Sequence, residues 1–70
     1  MNQTDFTELL DQERFSPFVI TTHDGFSIAI GSDQRNHILV GARMVALLDS
    51  AGGIVHIPYR SISHIQELKP

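Results

Sequence analysis

The side chains of this 70-residue chain that could do chemistry are four histidines, an Asp-Gly pair and a Tyr-Arg pair; cysteine is absent. Zinc sites gather His and Cys at short spacings. His23, His37, His56 and His64 form no His-x-x-x-His pair and have no Cys to complete a set, so structural or solvent-exposed roles are expected of them and no metal. His23 belongs with the turn beside it. His56 and His64 fall on the last two apolar runs and are expected to face each other, which at a buried subunit contact would make a pH-sensitive pair. No Ser sits in a Gly-x-Ser-x-Gly context, and Gly52-Gly53 lacks the Lys-Ser/Thr of a phosphate cradle. Asp24, next to Gly25, suits turn chemistry better than general-base work. The chain is therefore expected not to be an enzyme, with no catalytic residue and no cofactor.

Tyr59-Arg60 supports two readings. In one, Tyr59 packs on the rim of the fold and Arg60 is solvated. In the other, Tyr59 lies at a subunit seam or stacks on a base while Arg60 meets phosphate, the usual means of holding a single strand.

The elements that would position these residues centre on Pro17 to Ile30, two β-type runs meeting at Asp24-Gly25. A two-residue loop would spread large apolar residues over both faces of the ribbon. A three-residue loop of His23, Asp24 and Gly25, a type I turn closed by a left-handed Gly25, pairs Thr22 with Phe26, Ile20 with Ile28 and Phe18 with Ile30. That register makes one face consistently apolar, and burial of that face selects it.

Before the hairpin, Asp5 and Glu8 have the spacing of a capping box, and Phe6, Leu9 and Leu10 share a helical face. A helix over about 5–14 is expected, ending before Pro17. After the hairpin, residues 31–37 read as a polar loop. The run from Ile38 to Leu48 reads as a third strand with a bend, a bulge or a turn at Gly41. Its second half is apolar on both faces, with Met44, Ala46 and Leu48 on one and Val45 and Leu47 on the other, so both need cover. Asp49-Ser50-Ala51-Gly52-Gly53 turns the chain into Ile54–Ile57, Pro58–Ser61 suits one 3₁₀ turn, and Ile62–Leu68 is the last strand. The expected fold is mainly β: one domain over 1–70, an N-terminal α-helix, then a five-stranded, strongly bent antiparallel sheet closing a small SH3-like barrel over about 17–68.

A domain this small buries only roughly 60% of the surface its unfolded chain exposes, and without disulfides self-association is the available staple. The formal charge is −3, from five Lys plus Arg against eight Asp plus Glu, with Asp5, Glu8, Asp11 and Glu13 crowded near the start and no basic run. The start lacks the basic and apolar regions of a signal peptide and no apolar run could span a bilayer, so a cytoplasmic protein without a membrane partner is expected.

The order of helix, bent hairpin, long third strand, 3₁₀ turn and last strand resembles the Sm-like fold, in particular bacterial Hfq. The residues that carry the likeness are Gln3, Leu9-Leu10 with Glu13-Arg14, Asp24-Gly25, and Tyr59-Arg60-Ser61-Ile62-Ser63. The late motif departs from the family's Tyr-Lys-His-Ala-Ile-Ser in needing one residue skipped, in having Arg60 for Lys, and in offering only Ser61 for the pore histidine. Asp11 and Gln12 stand where the family's helix is basic. The resemblance implies a homo-oligomer, perhaps a ring, that binds single-stranded RNA through Gln3, Tyr59 and Arg60. A second likeness, in Pro17-Phe18-Val19-Ile20, Asp24-Gly25 and Ile57-Pro58, is to short bacterial proteins and brings no activity with it. The reading from a different class is a protein-interaction or assembly module with no nucleic-acid ligand.

Overall fold

The computed structural model describes residues 1–48 and 51–68. Asp49 and Ser50, the first two of the five residues of the second expected turn, lie outside the described residues. One helix, α1 (Gln3–Leu10), precedes six strands: β1 (Phe18–Thr22), β2 (Ser27–Ile30), β3 (Ile38–Val40), β4 (Met44–Leu48), β5 (Ile54–Pro58) and β6 (Ile62–Glu67). Short 3₁₀ turns at Arg35–His37 and Tyr59–Ser61 lead into β3 and β6.

The helix starts earlier and ends sooner than its sequence pattern suggests. Asn2, not Asp5, is the cap: its side-chain oxygen accepts the Asp5 N–H at 2.9 Å. The last helical bond runs from the Asp11 N–H to the Thr7 carbonyl. At 3.6 residues per turn, a helix continued to Phe15 would set that ring roughly 180° from Phe6. Leaving the helix lets Phe15 reach the Phe18 ring at 6.1 Å, and the Arg35 guanidinium lies 5.2 Å from the Phe15 ring.

The β1–β2 hairpin adopts the three-residue loop, with Phe18 opposite Ile30 and Ile20 opposite Ile28. Gly25 takes φ +91, the Gly25 N–H meets the Thr22 carbonyl and the Thr22 N–H meets the Phe26 carbonyl. Phe26 departs from the expected apolar face and is 44% exposed. Buried Thr22 keeps its hydroxyl satisfied on Asp24 and on the Phe26 carbonyl.

The expected long third strand is two strands, so the count among the described residues is six rather than five. The Gly41 N–H donates to the Met44 carbonyl at 2.8 Å and the chain reverses over Ala42-Arg43. A Cβ on Gly41 would stand 2.9 Å from that carbonyl oxygen, so any other residue there forces the backbone of the turn to shift. The strands make two three-stranded antiparallel sheets, β2-β1-β6 and β3-β4-β5, in place of a single five-stranded sheet. Among the described residues no ladder joins one sheet to the other.

The core lies between these sheets and the helix: Phe6 and Leu10, then Phe18, Ile20 and Ile30, then Val45, Leu47 and Ile57, with Tyr59. Phe6 meets Phe18 edge-on with centroids 6.0 Å apart, and Tyr59 at 6.1 Å. No helix among the described residues is long and apolar enough to cross a membrane.

Candidate functional site: an uncovered sheet face and two grooves beside it

Residues opposite each other in an antiparallel ladder share a face. On the side of β3-β4-β5 away from the core, three rows follow: Met44 with Pro58; Leu39 with Ala46 and His56; Leu48 with Ile54. Leu39 and Ile54 are 76% and 68% exposed, and Met44 and Leu48 are 40% and 44% exposed. His56 is the one titratable group in these rows. A hollow of about 270 Å³ lies between Leu39, Ala46, Leu48 and Ile54, edged by Asn36 and His37.

Arg60 is exposed between two grooves. The first, of about 630 Å³, is lined by Arg43, Arg60, Met44, Pro58, Ala42 and Tyr59 with the start of the chain, and no carboxylate among the described residues lines it. Tyr59 is only 5% exposed, and its hydroxyl donates to the Gly41 carbonyl at 2.6 Å. The Tyr59 N–H also binds the Arg43 carbonyl. Tyr59 thus fastens the β3–β4 turn, in keeping with the packing reading of the Tyr-Arg pair, and burial raises its phenol pKa above the ordinary 10.0. Gln3, exposed at the first position of α1, does not line the groove.

The second groove, of about 620 Å³, separates the β1–β2 turn from β5 and the second 3₁₀ turn. It brings together His23, Asp24 and Phe26 on one wall and Val55, His56, Pro58, Arg60 and Ser61 on the other. The His23 N–H donates to the Ser61 carbonyl at 2.9 Å and ties the walls. The Thr22 hydroxyl and then the Phe26 N–H hold the Asp24 carboxyl below its ordinary 3.8. His56 and His64 are not a facing pair: His56 stands opposite Ala46 in one sheet and His64 opposite Thr21 in the other. Among the described residues no three His, Cys, Asp or Glu side chains converge as a metal site.

Sequence reasoning found the two-faced strand and Arg60, but not Arg43 or Phe26. Arg43 gains meaning only once Gly41 is a tight turn, and Phe26 only once Thr22, not the phenyl ring, occupies the buried position. No family model, curated protein or solved structure matches this chain.

Proposed function

We propose that this protein is a non-enzymatic self-assembling module of the cytoplasm whose copies associate through the outer face of β3-β4-β5. The observation that carries the reading is the uncovered set of Leu39, Met44, Leu48 and Ile54. A second copy suits the face for two reasons. The rows hold no formal charge, so identical faces can meet without like-charge repulsion, and they offer both protruding Leu39 and Ile54 and a hollow to receive such side chains. A patch of a few hundred Å², at about 25 cal/mol per Å², matches an association cost of roughly 4–15 kcal/mol when both copies contribute.

The test is the mass by light scattering of the protein and of its Leu39→Lys and Ile54→Lys variants. Both positions are exposed, so the folded monomer tolerates lysine. Loss of the oligomer in both variants supports the reading, and an oligomer unchanged by either removes this face from it.

A second reading is favoured by the groove holding Arg43 and Arg60, which no acid among the described residues lines. The passage from β5 through the 3₁₀ turn to β6 supports taking the two sheets as halves of a small Sm-like barrel, and the groove would then be the place for single-stranded RNA. Burial of Tyr59 leaves phosphate contact to the arginines and no base stacking to that ring, which is why this reading stands second. Absorbance at 260 and 280 nm on the same scattering peak tests it, because the chain has one Tyr and no Trp and bound RNA would dominate the ratio.

A further inference from the structure

The groove between the β1–β2 turn and β5 is lined by four consecutive residues, Val55 to Pro58, so it runs along the strand and not over one of its faces. β5 is an edge strand. Which of its backbone groups are free follows from the ladder. The Gly41–Met44 bond makes that pair a hydrogen-bonded one, and bonded pairs alternate in antiparallel sheets. Met44, Ala46 and Leu48 therefore turn their N–H and C=O groups toward β3, and Val45 and Leu47 turn theirs toward β5. The Tyr59 N–H to Arg43 carbonyl bond fits the same phase. On β5 it is then Val55 and Ile57 that bond β4, while the His56 N–H and carbonyl turn to the free edge.

The groove thus gathers a guanidinium from Arg60, a hydroxyl from Ser61, imidazoles from His23 and His56 and a free backbone donor at His56. These come from three separate elements, which suits the spread oxygens of a phosphate better than a planar carboxylate. Phe26, 44% exposed, and Val55 and Pro58 supply apolar surface beside them. Asp24 is the one acid on the walls among the described residues, and its carboxylate already accepts the Thr22 hydroxyl and the Phe26 N–H. The volume falls within the range of small-molecule sites, and the His23–Ser61 bond holds the walls together without a ligand.

We infer that this groove is a binding site for a small phosphate monoester carrying a flat ring, with the phosphate at Arg60 and the His56 N–H and the ring against Phe26. The site adjoins the self-association face, sharing His56 and Pro58 with its rows, while Leu39, Leu48 and Ile54 do not line it.

The test is a titration of the full-length protein with phenyl phosphate, followed by amide NMR shifts, with inorganic phosphate and a uridine oligonucleotide as comparison probes. Saturable shifts gathered at His23, Phe26, His56, Arg60 and Ser61 are expected. Arg60→Gln should weaken phenyl phosphate by about tenfold. Phe26→Ala should weaken phenyl phosphate but not inorganic phosphate. Both residues are exposed, and retained shift dispersion confirms the folded state of each variant. The inference is overturned if phenyl phosphate produces no saturable shifts into the millimolar range. It is also overturned if Phe26→Ala leaves its affinity unchanged, or if only the oligonucleotide binds.

Discussion

Tyr59 and Asp24 show how single residues that invite a chemical role can be engaged in holding the chain. The Tyr59 hydroxyl reaches across the chain to the Gly41 carbonyl, so Tyr59→Phe should cost about 1 kcal/mol in denaturant unfolding. Because its folded pKa is raised above 10.0, the protonated phenol stabilises the fold below pH 10, and that contribution fades as the pH rises through the folded value. The wild type should lose stability more steeply than Tyr59→Phe above about pH 10. Asp24 has the opposite sign. Its folded pKa lies below 3.8, so its contribution is complete above that value and disappears as the pH falls through the lower folded one. Urea midpoints of the wild type and Asp24→Ala should differ at neutral pH and draw together as the pH drops below about 3.8; a gap that stays constant would place the Asp24 effect outside its charge.

At the scale of elements, the turns govern what could be read in advance. The β1–β2 register was legible because Asp24-Gly25 fixes the loop and because a slip by one residue would expose Phe18 and Ile20. The helix start was not: Asp5 and Glu8 have capping-box spacing, whereas the cap is Asn2, three residues earlier. Asn2→Ala should accordingly reduce stability by about 1 kcal/mol. Gly41 carried several possible meanings in sequence, and its closeness to the Met44 carbonyl decides for a tight reversal. Gly41→Ala should cost about 1–3 kcal/mol and disturb the Tyr59 hydroxyl bond with it, read as a lower thermal midpoint. The candidate grooves were legible only in part. Arg60 stood out beside Tyr59, whereas His23 and Phe26 are distant in sequence from His56 and share a groove with it only in the fold.

For the whole molecule, the governing fact is that two thin sheets and one short helix share a core, while the outer side of β3-β4-β5 carries large apolar residues that are 40% to 76% exposed. Alternation along Met44–Leu48 already announced two apolar faces. The fold assigns Val45 and Leu47 to the core and leaves Met44 and Leu48 to an external surface. The most direct measurement is sedimentation equilibrium of the unmodified chain over a wide range of concentration. Self-association through this face predicts a mass above the 7.8 kDa of one chain that falls toward it on dilution. A single species of 7.8 kDa at every concentration would contradict it.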